Sequence, residues 1–153
     1  MNAIELLKED HNRVKALFEE VKANEDGDNT DVFKQIKAEL EAHTHVEETI
    51  FYPRLLDEGD EELQKIVKEG IEEHRQAKMF LRELENLTDD SEKFLPKITV
   101  LMEDVEHHVQ EEEGEMFQMV ESQFDEEKLE TMGAEMEEEK ANFQPQSSSA
   151  RAS

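Results

Sequence analysis

At 153 residues the chain holds enough material for one sizeable core and too little for two. Its 42 acidic residues against 17 Lys and Arg give a formal net charge of −25, which repels phosphate backbones and anionic lipid and suits cations; no nucleic acid and no membrane surface is expected as a partner. Cysteine is absent, which excludes disulfides, thiolate nucleophiles, iron–sulfur clusters and Cys-ligated zinc.

Residues 1–20 carry no apolar run behind a basic start, and no stretch reaches the ~18 consecutive apolar residues of a membrane span. A cytoplasmic protein is the expectation. With only five Gly and three Pro, and with Glu, Lys, Leu, Ala and Met throughout, the chain reads as helices from end to end.

The first helix is predicted over about 2–23. Ile4, Leu7, Val14, Phe18 and Val21 form an apolar seam, and His11 fills the gap between Leu7 and Val14. A break at 24–30, with Thr30 as the expected N-cap, leads to a second helix at about 31–56. Its seam runs Phe33, Ile36, Leu40, His43, Glu47, Ile50, and Pro53 is expected to bend its last turns. After a break at 57–60, with Asp60 as N-cap, the third helix at about 61–86 carries Leu63, Val67, Ala77, Leu81 and Leu84. His74 stands seven residues after Val67 and seven before Leu81. A break at 87–91, with Ser91 as N-cap, opens the fourth helix at about 92–121, with Pro96 in its early turns. Its seam runs Ile98, Leu101, Val105, His108, Glu112, then Met119. A fifth, weakly amphipathic helix is predicted at about 126–141, with Leu129, Met132, Met136 and Phe143 among many Glu. It either packs onto the bundle or docks a protein partner or second copy. The stretch 144–153, with its Ser run, reads as a disordered tail. The fold expected is an all-α, up-down-up-down antiparallel four-helix bundle over 1–122, with a C-terminal helix within 123–143.

The residues that break the apolar pattern carry the chemistry. Four His and two Glu point inward, and each lies near the middle of its helix. In an antiparallel bundle of matched helices, midpoints share one layer. A His and a Glu four apart differ by ~6 Å along the helix axis and ~40° around it, so both reach one centre or two adjacent centres. Two carboxylates buried together are costly unless something positive binds them. A single buried His is more often a hydrogen-bonded core residue than a ligand, and His43/Glu47 or His108/Glu112 alone fits a structural ion pair. All four helices breaking the seam at one height is harder to explain without metal. Imidazole and carboxylate without thiolate suit iron, manganese or zinc. Six side chains exceed one tetrahedral zinc. They suit two ions, with carboxylates and a solvent-derived oxygen bridging them, and iron is favoured over manganese or zinc.

His45 and His107 fall off the seams and are expected at the surface, which selects His108/Glu112 over His107/Glu111. An internal duplication supports the layer. Glu9-Asp10-His11 parallels Glu73-His74 and its preceding Glu72, and His43-x-x-x-Glu47-Glu48 parallels His108-x-x-x-Glu112-Glu113, at offsets of 63 and 65 residues. Two helical hairpins would then build a site with approximate two-fold symmetry. Lys15 and Lys78, one turn past their His residues, are read as solvated lysines flanking it.

His11, His43-x-x-x-Glu47-Glu48 followed by Ile50-Phe51-Tyr52-Pro53, His74 and His108-x-x-x-Glu112-Glu113 together resemble the hemerythrin-like, or HHE cation-binding, domain over roughly residues 1–122. The resemblance implies a four-helix bundle holding an oxo- or hydroxo-bridged non-haem di-iron centre, with His11, His43, Glu47, His74, His108 and Glu112 as ligands and the two Glu bridging. It also implies binding of dioxygen, sensing of oxygen or iron, or responses to peroxide and nitric oxide. The oxygen-carrying members have a further His four residues after the third-helix ligand, where this chain has Lys78. Four His rather than five make a more open centre and weigh against simple reversible oxygen carriage.

The function expected is a metal-binding protein that binds or senses dioxygen or a related small oxidant. The competing readings are a di-iron enzyme acting on peroxide or nitric oxide, and an iron store or sensor whose readout is folding.

Overall fold

The computed structural model describes residues 1–88 and 91–143, and the predicted tail lies outside them. Those residues form α1 (Ala3–Lys22), α2 (Thr30–Val46), a π turn (Glu47–Phe51), α3 (Tyr52–Glu58), α4 (Glu61–Glu85), α5 (Ser91–Glu111), a second π turn (Glu112–Met116), α6 (Phe117–Gln123) and α7 (Glu126–Asn142). The π turns join α2 to α3 and α5 to α6 as continuous rods. The result is four long antiparallel helices with a short fifth, and no strand among the described residues.

The helix starts follow local chemistry. Asn2 and Glu5 form a reciprocal capping box at α1. Asp60 and Asp125 cap α4 and α7 by accepting the Leu63 and Lys128 N–H groups. Thr30 is not the cap expected for the second helix. It is the first helical residue, and the Asp28 carboxylate accepts its N–H. Ser91 begins α5, but its side chain lies outside the described residues.

The seams pack as predicted up to the π turns. Val14, Phe18, Phe33, Ile36, Leu84, Ile98 and Leu101 build one apolar cluster. Leu7, Phe51, Tyr52, Leu55, Leu63 and Phe117 build the other, joined by Leu129, Met132 and Met136 of α7. Each fully buried side chain of this size contributes about 1.5–3 kcal/mol. Along every long helix the inward His falls between a residue of one cluster and a residue of the other, so the polar layer divides the core.

Beyond the π turns the predicted seam slips. Ile50 and Met119 are only partly buried, and the core instead takes Phe51, Tyr52 and Leu55, and Met116, Phe117 and Val120. The reason is geometric. Tyr52 and Phe117 donate their N–H groups five residues back, to the Glu47 and Glu112 carbonyls, so each rod is widened by one residue and its inward face rotates. Pro53, which has no N–H, follows the first turn, and Gly114 sits within the second.

The apolar face of α7 lies on the bundle, as the packing reading expected: Leu129, Met132, Gly133 and Met136 are buried. Gly133 permits the approach, because a Cβ there would lie 2.2 Å from the Met1 carbonyl oxygen.

Candidate metal centre

All six residues singled out by the seam meet in the layer between the two apolar clusters. None is more than 9% exposed. His11 comes from α1, His43 from the end of α2, His74 from mid-α4 and His108 from the end of α5. Glu47 and Glu112 open the two π turns, so the same distortion recurs at both carboxylates, as the duplication requires.

The carboxylates stand between the imidazoles. Glu112 places Oε1 3.0 Å from His11 Nε2 and Oε2 3.3 Å from His108 Nε2. Glu47 Oε1 lies 2.9 Å from His74 Nε2 and 3.2 Å from His43 Nε2. Each carboxylate thus touches an imidazole on either side. His11 and His43 stand edge to face at 4.9 Å and 62°, and His74 and His108 repeat this at 5.0 Å and 64°. Two groups of donor atoms lie close enough to chelate an ion. One is Glu47, His74, His108 and Glu112; the other is His11, His43 and Glu112.

The Nδ1 side of every ring is tied back by a carboxylate. Glu113 accepts from His11 at 2.6 Å, Asp10 from His43 at 3.0 Å, Glu48 from His74 at 2.8 Å and Glu73 from His108 at 2.5 Å. A carboxylate only accepts, so Nδ1 carries the proton and Nε2 is turned toward the centre. Each of these four acids is the chain neighbour of an inward residue on another helix. The duplicated Asp10-His11, Glu73-His74, Glu47-Glu48 and Glu112-Glu113 pairs were the signal for them, but seam periodicity alone assigns them no role.

Two of the four acids carry a further cation. Lys78 Nζ is 2.7 Å from Glu48, and Lys140 of α7 reaches Asp10, which Arg13 also holds. Lys78 is therefore both exposed, as expected, and bonded to a group that orients His74. Lys15 is exposed. His107 is exposed as predicted, whereas His45 is not fully solvated. Its ring stacks on Phe143 at 4.4 Å and its Nε2 meets Glu139 of α7 at 2.6 Å.

Approximate symmetry is broken by one hydroxyl. Phe117 stacks on His11, and Tyr52, its counterpart, stacks on His74. The Tyr52 hydroxyl donates to Glu112 Oε2 at 2.6 Å and lies 3.3 Å from Glu47 Oε1. Burial and then the two carboxylates push its pKa well above the ordinary phenol value, so it stays a donor.

Charge and burial compete throughout the layer. Burial alone would depress His43, but Glu47 and Asp10 raise it to about 10. His74 and His108 are raised against burial by the carboxylates around them. Burial would raise Glu112, yet His108 and His11 hold it well below the usual range. Asp10 is held at about 2 by His43 and Lys140, and Glu48 at about 2 by His74 and Lys78, again against burial.

The donor set fits divalent or trivalent metal ions. His43 Nε2, His108 Nε2 and Glu47 Oε2 are buried with no hydrogen-bond partner, despite the nearby charges. An ion takes up such lone pairs and neutralises two buried carboxylates at once. A cavity of about 200 Å³ adjoins the layer, touching all four imidazoles and walled by Val14, Leu40, Ala77, Val105 and Val109.

The family model for the Hemerythrin HHE cation binding domain matches residues 2–120 of this chain. The chain belongs to the hemerythrin HHE cation-binding family. Among solved structures, this hemerythrin-family chain is similar to a hemerythrin HHE cation binding domain-containing protein of Mycobacterium kansasii. The TM-score is 0.75 at 25% identity, covering 92% of this chain and 88% of the other. It is 28% identical over 94% of its length to a protein of Nostoc sp. named DNA nickase, and 26% identical over 86% to a hemerythrin-like protein of Schizosaccharomyces pombe. It spans 40% of the first relative and 65% of the second.

Proposed function

We propose that this chain is a non-haem di-iron protein that binds or senses dioxygen or a related small oxidant. Its ligands are His11, His43, Glu47, His74, His108 and Glu112. The observation that carries the reading is the set of buried, unpartnered Nε2 and Oε atoms in a layer where every Nδ1 is tied outward. Iron held by these six residues would supply one-electron redox chemistry, and the four-His set offers one imidazole fewer than a five-His site. The rest is done by the chain. Glu48, Glu73, Glu113 and Asp10 fix the tautomer and aim of each imidazole. Tyr52 holds its proton on Oη and donates it to the Glu112 carboxylate. The cavity walls limit water while leaving room for a small neutral ligand against the imidazoles. Lys78 stands where a fifth His would be and pairs with Glu48, so it adds no donor to the centre.

The Nostoc relative's name brings no nucleic-acid role here, because a net charge of −25 opposes a phosphate backbone. No helix among the described residues is long and apolar enough to cross a membrane. The test is elemental analysis beside ultraviolet–visible spectra of anaerobically iron-loaded protein before and after O₂. Two irons per chain and an oxygen-dependent absorption band are expected. Fewer than one iron per chain, or a spectrum indifferent to O₂, sinks the reading.

A further inference from the structure

The cavity beside the imidazoles is far larger than a diatomic ligand needs. Its volume is about 200 Å³, and most of its surface is apolar. By the same measure a water needs roughly 10–15 Å³, and an apolar cavity of about 150 Å³ takes up benzene. A close-packed core has few voids wider than a water, and one of this size is costly to leave empty.

The internal duplication shows where the space comes from. The two hairpins match at offsets of 63 and 65 residues, so Val14 of α1 corresponds to Ala77 of α4, and Leu40 of α2 to Val105 of α5. All four line the cavity, each three residues from an inward His. At both positions the second hairpin carries the smaller side chain. The outer edge differs in the same sense. Arg13 and Glu39 form an ion pair between α1 and α2 at 3.6 Å. Their counterparts, Gln76 and Asp104, line the cavity, and there a shorter, uncharged donor spans α4 and α5: Gln76 Nε2 donates to Asp104 at 3.3 Å. Gln76 is exposed and Asp104 half-buried, so the cavity meets solvent between these two helices. The space thus lies on one side of an otherwise two-fold layer.

We propose that this cavity binds an uncharged, apolar organic molecule of about the size of benzene, seated on Ala77 and Val105 with one end against the imidazoles. The inference deepens the di-iron reading by naming the class of molecule the centre meets; any chemistry rests on that reading, while the binding rests on the cavity alone. Charge sets the class. No Lys or Arg lines the cavity, whereas Glu73 and Asp104 do, so nothing there compensates an anion. Those two acids already accept from His108 and Gln76. A cation would exchange its hydration for valine and leucine side chains. An apolar body gains by the same transfer and fills the void.

Fluorobenzene is the probe, read by ¹⁹F NMR with full-length zinc-loaded protein, because zinc neither broadens the signal nor undergoes redox chemistry. Saturable binding of one molecule per chain is expected. Nuclear Overhauser contacts from its ring protons should reach the Ala77 and Val105 methyl groups of the wild-type protein. The double variant Ala77→Val/Val105→Leu makes the second hairpin match the first. It should bind fluorobenzene about 10-fold more weakly, the loss of roughly two methylenes' worth of burial, with zinc content and circular dichroism unchanged. The control Met79→Ala/Val100→Ala removes exposed apolar side chains from the same two helices and should bind as wild type does. Absence of saturable binding, contacts to other methyl groups in place of these two, or equal weakening in the control overturns the site. Zinc content is measured on the same samples. Protein that takes up no zinc tells against the metal reading, while fluorobenzene binding to it still decides the cavity.

Discussion

His43 shows how this site is held at the level of single residues. In the metal-free protein its pKa lies at about 10 instead of 6.5, because the carboxylates outweigh burial. A raised folded-state pKa contributes stability that is complete below 6.5 and disappears as pH rises through 10. His74 and His108 are shifted the same way. Asp10 and Glu48, both at about 2, contribute stability above the usual carboxylate range that is lost as pH falls toward 2. Metal-free protein should therefore melt highest in mildly acidic solution, with its Tm falling from pH 6.5 toward 10. Metal-loaded protein should lose that alkaline decline, since ligation has already displaced the imidazole protons. Thermal melts of both forms across this range check it; a metal-free Tm that rises with pH contradicts the assignment. Tyr52 makes a second test. Tyr52→Phe keeps the ring on His74 but removes the donor to Glu112, which should cost the metal-free form about 1–3 kcal/mol by chemical denaturation. A neutral result would mean that the hydroxyl does not hold the Glu112 carboxylate.

Among the elements, the π turns and α7 matter most. A turn widened by one residue brings Glu47 and Tyr52, five apart, onto one face, and Glu112 and Phe117 likewise. A regular α-helix would separate such a pair by ~140°. The fifth helix reaches the site through Lys140, Asp10 and His43. Asp10→Asn should weaken metal affinity by about 10–100-fold, as loss of a ligand-orienting carboxylate does elsewhere, while leaving the helical content intact. A competition titration with a chelating dye measures it. Gly133→Ala should destabilise the docking of α7 by about 1–3 kcal/mol, because its methyl meets the Met1 and Asn2 backbone. Hydrogen exchange should then rise over 126–142 ahead of the other helices. Unchanged protection there would show that the close approach is not needed.

For the whole molecule, a net charge of −25 opposes compaction. Monovalent salt screens that repulsion, so the Tm of the metal-free protein should rise between ~0.01 and ~0.15 M NaCl, where the Debye length falls from about 30 to 8 Å. A falling Tm would show that the ion pairs around the centre outweigh surface repulsion.

Periodicity was enough for the four long helices, because a seam at steps of three and four residues has one way to be buried. It was enough for the six inward residues too, since each interrupts that seam at mid-helix and the duplication repeats the interruption. Sequence alone could not place what depends on contacts between helices or on a change of helical pitch. Ile50 and Met119 were read inward because the period was carried through the two π turns, where Tyr52 and Phe117 take the inward face instead. Asp10, Glu48, Glu73 and Glu113 acquire their role from rings on other helices, and their charges look like any of the 42 acids until those rings are in place. Lys140 is separated from Asp10 by 130 residues, so their pairing depends on α7 folding back over α1. Composition and period determine which faces are buried; only packing decides which neighbours meet there, because hydrogen bonds and ion pairs depend on distances that no local pattern encodes.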